Sequence, residues 1–310
     1  MSATSRRYRA EINLVGVNDA HVLALGRVPA NSRVLDLGAA DGSMAAALRD
    51  MGCRAWGVEL DPEAAELAAP YCEDLAVADL NDLDLAQRFA GQQFDIVLML
   101  DVLEHLTDPA AVLRGVGAVL APGGWGVISL PNIAHVSTRL ALLEGRFTYT
   151  DTGLLDRTHL RFFDRAGVDR LLADSGWAMF DLERVTRRLG TTEIRLDHPN
   201  PDLVAQIEAD EEGLTYQFVI SGAPLGSPVL NHTPTLPAMV AQSTLLGAIS
   251  YIENLEGQLR TDHIPALYSE LERLRLGSLD RRRQLQQLLQ ALQENNQRLE
   301  LVADGKPAGR

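Results

Sequence analysis

The sequence predicts an α/β protein with a doubly wound, mostly parallel seven-stranded sheet, and three observations carry that prediction. Short apolar runs alternate with helical patterns from about residue 30 to 222, the mark of successive strand–helix–strand units. The runs are continuously apolar, as strands covered by helices on both faces must be. The first four also end in an acidic residue: Asp36 or its turn, Glu59, Asp79 and Asp101.

Taken in order, Val34-Leu35-Asp36-Leu37 is a short apolar run that enters the turn Gly38-Ala39-Ala40-Asp41-Gly42. A helix is expected over 43–51, stopped by Gly52. The second strand is 55–59, and Asp61-Pro62-Glu63 opens the next helix with a cap residue and a proline at its first position. A third strand covers 75–78. The clearest buried strand is 94–100, and Asp108-Pro109 opens a helix to about residue 120. Pro122-Gly123-Gly124 turns the chain into a strand over 125–130, a helix follows at 166–175, and 179–185 and 216–220 close the sheet.

The domain expected from this pattern is 1–222. Residues 223–241, rich in Pro, Gly and Ser, read as a linker. Over 242–303 apolar residues recur at helical spacing, Leu245, Ile249, Ile252, Leu255 and Leu259 and then Leu285, Leu288 and Leu292. That spacing fits a helical hairpin or coiled coil that assembles a homo-oligomer, or a stripe that packs back on its own domain. Residues 304–310 are expected to be a disordered tail.

Composition narrows the function classes. The net charge of −14 makes nucleic acid a poor partner. Arg281-Arg282-Arg283 reads as a solvated face of a helical tract. Two cysteines, Cys53 and Cys72, are too few for a disulfide framework or a zinc site and fit a reducing, cytoplasmic setting. No apolar run reaches the roughly 20 residues of a membrane span, and the basic N-terminus has no apolar run after it to make a signal peptide.

In an open parallel sheet, ligands bind outside the carboxyl ends of the strands. The glycine turn lets the backbone approach a ligand, with free N–H groups on the helix behind it. Glu59 lies 23 residues after Asp36, where an acid can accept both hydroxyls of a ribose. Asp79 is placed to accept from an adenine amine. The turn lacks the Gly-x-Gly-x-x-Gly pattern of a diphosphate cradle and carries Asp41, which disfavours a diphosphate and suits a cation. The ligand implied is an adenosine bearing positive charge.

At these residues the chain resembles the class I S-adenosylmethionine (SAM)-dependent methyltransferases, over roughly 20–220. Asp36-Leu-Gly38-Ala39-Ala40-Asp41-Gly42 is similar to their glycine-rich signature, with Ala40 where a second glycine is more usual. The resemblance implies a Rossmann-like fold with SAM as cofactor. It places the methionine portion against Asp36, Gly38, Ala39, Asp41 and Gly42, the ribose on Glu59 beside Leu60, and adenine by Asp79 and Leu80. Asp101-Val102-Leu-Glu104-His105 resembles the segment after their fourth strand, which makes Asp101, Val102 and His105 walls of the cofactor site. A narrower likeness, over an insert at about 132–165 containing Asn132, His135, Arg139, Asp156, Arg157, His159 and Arg161, is to small-molecule methyltransferases linked to surface-polysaccharide or secondary-metabolite pathways.

The insert follows the fifth strand, where an acceptor would approach the methyl group. His135 and His159 are candidates for a general base, because imidazole titrates near working pH. Asp156 could orient such a histidine, Asn132 could contact the acceptor, and Arg139, Arg157 and Arg161 could hold an anionic group. Glu144, Asp151, Asp156 and His159 show no ligand spacing, so no metal is assigned. The leading expectation is O-methylation of a small polar acceptor such as a sugar hydroxyl or saccharide terminus. The alternatives are an NAD(P)-dependent oxidoreductase, against which the missing glycine counts, and a non-catalytic scaffold that keeps the domain but works through its coiled coil.

Overall fold

A computed structural model describes residues 19–196 and 199–231 of the 310. Seven strands make one sheet: β1 (Arg33–Leu37), β2 (Arg54–Glu59), β3 (Asp74–Val77), β4 (Phe94–Leu100), β5 (Leu120–Pro131), β6 (Trp177–Thr186) and β7 (Thr215–Pro224). Their spatial order is β3-β2-β1-β4-β5-β7-β6. The first five are mutually parallel, and β7 runs antiparallel to both β5 and β6. The order reverses between β1 and β4, so their carboxyl ends flank the crevice where such sheets bind ligands.

Among the described residues, eight α-helices accompany the strands: α1 (Ala20–Leu25), α2 (Ser43–Asp50), α3 (Pro62–Ala68), α4 (Leu85–Arg88), α5 (Pro109–Val119), α6 (Val136–Leu143), α7 (Arg165–Asp174) and α8 (Pro201–Glu208). Alternate residues of one strand feed different cores. In β4, Val97 and Met99 pack with Leu35 and Leu37 against Leu113 and Val116 of α5 and Leu171 of α7. Ile96 and Leu98 pack with Val34 against Ala24 of α1 and Met44 and Leu48 of α2. A strand buried on both faces has no polar alternation to display, which is why 94–100 reads as one apolar run.

The caps follow the sequence signals. Asp61, Asp108 and Asp164 each accept from a main-chain N–H in the first turn of α3, α5 and α7, satisfying donors that the helix itself cannot.

Two expectations shift. The segment from 223 does not begin as a linker, because β7 runs on to Pro224, which pairs with Trp177, and Val229 is buried against the α1–α2 side of the sheet. Proline ends a strand here rather than opening a flexible tether, and it does so where the last ladder pairing is made. The insert also holds more regular structure than its composition suggests, since α6 lies within it. The expected oligomerisation helices at 242–303 and the tail at 304–310 lie outside the described residues. Among the described residues, no helix is long and apolar enough to cross a membrane.

Candidate functional site

The turn after β1 is shaped by close approach. Gly38 has φ +83°, and a Cβ there would stand 2.6 Å from Val102 Cγ2. Gly42 has φ +80°, and a Cβ there would stand 2.6 Å from the Ala68 Cα. Both positions demand glycine twice over, by backbone conformation and by space. Ala40 occupies the same left-handed region at φ +47°. The alanine that replaces a glycine therefore holds a strained backbone, not merely a narrower loop.

Glu59 ties this turn to β2. One carboxylate oxygen accepts from the Ala40 N–H at 2.8 Å and the other from the Asp61 N–H at 2.8 Å. Each oxygen keeps a lone pair for a further donor. Asp41 accepts from the Ser43 N–H and hydroxyl, and Asp79 accepts from the Asn81 N–H and amide. Leu60 is exposed and Leu80 half-buried, so apolar surface flanks both acids.

Asp36 is fully buried at the end of β1. Burial, together with the charge of Glu59, pushes its carboxyl from an ordinary 3.8 up to about 7, against a smaller opposing pull from His21. His21, in the first turn of α1, was not foreseen. Burial works against its charge, but Asp19, Asp101 and Asp36 outweigh it and hold the imidazole above its ordinary value. A crevice lined by carboxylates and one titrating imidazole is built for a cation.

The two candidate bases separate. His135 is fully buried and caps α6. Its Nδ1 meets the Ser137 N–H and hydroxyl, and its Nε2 lies 2.8 Å from the Arg187 carbonyl. Both ring nitrogens are occupied, and burial pulls its pKa down. It is a structural cap and corrects the expectation of a base. Asn132 is likewise spent, donating to the Glu212 and Thr215 carbonyls and accepting from the Ala134 N–H. Arg139 binds the Ala134 carbonyl and Asp210. Asp156 accepts from the Thr158 N–H and hydroxyl rather than orienting a histidine. Arg157 pairs with Asp151 on the surface. Arg161 donates to the Thr107 carbonyl and lines a groove of about 490 Å³ together with Phe162 and Arg170.

His159 is different. The Leu160 and Arg161 N–H groups donate to the Glu104 carbonyl, folding the insert back onto the end of β4. His159 Nε2 then lies 3.9 Å from Glu104 Oε1, and its ring meets His105 edge-on at 4.9 Å between centroids. Glu104 is 1% exposed, and neither carboxylate oxygen has a hydrogen-bond partner. Burial, then the neighbouring charge of Asp101, raises its pKa well above the ordinary value. Burial of an ionised carboxylate without a donor is costly, which favours the neutral acid here. One ligand atom from each of Glu104, His105 and His159 lies within 4.8 Å of the others. His105 Nδ1 lies 3.2 Å from the Thr158 carbonyl, a main-chain contact that orients the ring. The cluster thus fits a divalent cation as well as a proton. The sequence pointer was Glu104 itself, a charge set within Val-Leu-Glu-His-Leu.

Outward from His159 the aromatic contacts continue. Phe162 lies 6.1 Å from its ring, Phe147 lies 5.8 Å from Phe162, and Tyr149 lies 5.5 Å from Phe147, all edge to face. Phe147, Tyr149 and Phe162 are all exposed.

Comparison with known proteins decides between the ligands that such a crevice could take. A family described as "Methyltransferase domain" matches residues 6–182. The chain belongs to this family. It is a class I methyltransferase and its cofactor is S-adenosylmethionine, which sets the dinucleotide alternative aside. Among curated relatives, a ubiquinone biosynthesis O-methyltransferase of Psychrobacter arcticus is 32% identical over 162 residues, 49% of this chain and 62% of that protein. One from Thiobacillus denitrificans is 26% identical over 171 residues, 54% of this chain and 74% of that protein. The chain thus spans about 62% of the first of these relatives. A SAM-dependent methyltransferase of Archaeoglobus fulgidus shares the fold, with a TM-score of 0.50, 15% identity, and coverage of 71% of this chain and 97% of that one.

Proposed function

We propose that this methyltransferase transfers the SAM methyl group to a hydroxyl oxygen of a small-molecule acceptor. The observation that carries the reading is the buried, unpartnered Glu104 beside His105 and His159 at the carboxyl end of β4. Methyl transfer is an in-line displacement, with the O–CH3 bond forming as the S–CH3 bond breaks and the electron pair passing to sulfur. The protein's task is to align the partners and exclude water. A hydroxyl is a poor nucleophile until its proton leaves, and the imidazole of His159 is the group placed to take that proton. A divalent cation held by Glu104, His105 and His159 would instead lower the hydroxyl's pKa directly.

The exposed rings of Phe147, Tyr149 and Phe162 beside His159 support an acceptor with an apolar face. A hydroxylated aromatic ring presents one, and so does a saccharide ring. The relatives' part in ubiquinone biosynthesis favours the aromatic acceptor.

Calorimetric titration with SAM, followed by transfer of labelled methyl from SAM to panels of phenols and saccharides with and without chelator, tests the proposal. Loss of transfer on chelation assigns the cluster to a cation, and retained transfer assigns it to the imidazole. Binding of NAD with no binding of SAM would refute the reading. A protein that bound neither would favour the scaffold alternative. We further propose that residues 242–303 assemble the chain into a homo-oligomer through their apolar stripe.

A further inference from the structure

We propose that Gln217, far along the chain on β7, is a positioning residue that fixes the carboxylate of Asp101 towards the cationic sulfur of SAM. The inference rests on the function proposed above and adds a residue to its donor site.

Asp101 follows β4 with φ +54°, a left-handed backbone that costs a non-glycine residue about 1 kcal/mol or more. Such a conformation persists only where its surroundings over-determine it. An aspartate ahead of a helical turn ordinarily accepts from the main-chain N–H groups just after it. Asp101 is held instead by side chains of two other strands. Its N–H donates to Ser129 Oγ at 2.9 Å, and the Ser129 hydroxyl donates back to Asp101 Oδ1 at 2.7 Å. Gln217 Nε2 then spans both carboxylate oxygens, 2.8 Å from Oδ1 and 3.0 Å from Oδ2.

The reach is unusual. Gln217 pairs with Pro131 on β5, so its side chain crosses over β5 to the end of β4, 116 residues away in sequence. A glutamine used only to knit the sheet has nearer partners. The contact also has an electrostatic purpose. Asp101 is surrounded by acids, and its charge is felt at Glu104 and, favourably, at His21. Among like charges a carboxylate tends to turn away or take up a proton. Hydrogen bonds from the Gln217 amide and the Ser129 hydroxyl oppose that by holding the carboxylate in one orientation. Asp101 adjoins the glycine turn through its neighbour Val102, which packs on Gly38. There the cofactor's positive sulfur is its natural counter-charge.

The test compares SAM with S-adenosylhomocysteine, which has the same adenosine and amino-acid groups but no charge on sulfur. The full-length protein and its Gln217→Leu, Gln217→Glu and Ser129→Ala variants are titrated with both ligands by calorimetry, and each variant's thermal midpoint is recorded. Gln217→Leu is expected to weaken SAM binding by about tenfold, the scale of one charge-assisted hydrogen bond, with a much smaller effect on S-adenosylhomocysteine. Gln217→Glu, nearly the same shape but charged, is expected to weaken SAM further. A variant that loses affinity for both ligands in equal proportion would assign Gln217 to general structure and overturn the proposal. Unchanged SAM affinity in a folded Gln217→Glu variant would overturn it too. If Gln217→Leu does not fold, Gln217→Asn, whose shorter amide falls short of Asp101, replaces it with the same expectations. Failure of the wild-type protein to bind SAM counts against the function itself and is read separately.

Discussion

The most quantitative consequence of the donor site concerns Asp36. Its carboxyl sits at the end of β1, 3% exposed, with a pKa raised from 3.8 to about 7 in the folded protein. The unfolded chain gives up this proton near 3.8, while the folded chain keeps it until about 7. The folded state therefore loses stability as pH rises between those values, and the loss is complete above about 7. One pKa unit is about 1.4 kcal/mol, so the shift costs the cofactor-free protein about 4 kcal/mol at pH 8 but only about 2 kcal/mol at pH 5. Asp36→Asn has the same shape and never ionises. It should remove this slope, with a gain over wild type that grows by about 2–3 kcal/mol between pH 5 and pH 8. For a domain of this size that difference is about 5–10 °C in thermal midpoint. Scanning calorimetry of both proteins without cofactor at the two pH values checks it. SAM binding should move the other way, tightening for wild type as pH rises through 7 and staying flat and weaker for Asp36→Asn. Parallel pH dependences of the midpoint in the two proteins would refute the reasoning, because Asp36 would then not be the group that resists ionisation.

Other expectations follow from single residues. Ala40→Gly relieves a left-handed alanine but adds freedom to the unfolded chain, so the net gain should be about 0–1 kcal/mol by chemical denaturation; a loss greater than that contradicts the strain argument. His135→Ala should destabilise the fold by about 2–4 kcal/mol, since it removes a buried helix cap and its hydrogen bond to the Arg187 carbonyl. His159→Gln should leave SAM affinity unchanged yet slow methyl transfer by about 100-fold or more, and the reverse pattern in these two variants would exchange their roles. Deleting residues 242–310 should convert an oligomer to monomer in sedimentation while leaving SAM affinity intact, and an unaltered sedimentation coefficient per protomer would reject assembly through that segment.

Much of the donor side was legible in the sequence because each of its parts is local. A strand covered on both faces is a continuous apolar run, so the sequence brings Asp36, Glu59, Asp79 and Asp101 to within two residues of the ends of β1 to β4. The acceptor side was not local. His135 and His159 share a residue type, an insert and a polar neighbourhood, yet one is locked as a cap and the other faces a buried acid. Histidine is an uncommon helix cap, so nothing in Asn132-Ile-Ala-His135 announced one. His159 depends on main-chain hydrogen bonds from Leu160 and Arg161 to Glu104, more than 50 residues back. No periodicity records such a fold-back. The grouping of Glu104, His105 and His159 is non-local in the same way, since two members are neighbours in sequence and the third arrives from the insert. The end of β7 was misread as a tether because proline and glycine mark strand ends as often as linkers.

The place of β7 in the sheet also dictates an order of assembly. It is the last of the described strands in sequence, yet it lies between β5 and β6. Until it arrives, the nascent chain carries β5 with an open edge and β6 with no sheet to join, a state exposed to mispairing and slow to resolve. The same strand carries Gln217, so the Asp101 carboxylate is secured only when β7 is inserted. A chain stalled short of that strand would display the glycine turn and most of its acids and still lack a finished donor pocket, which makes cofactor capture a report that synthesis of the domain is complete.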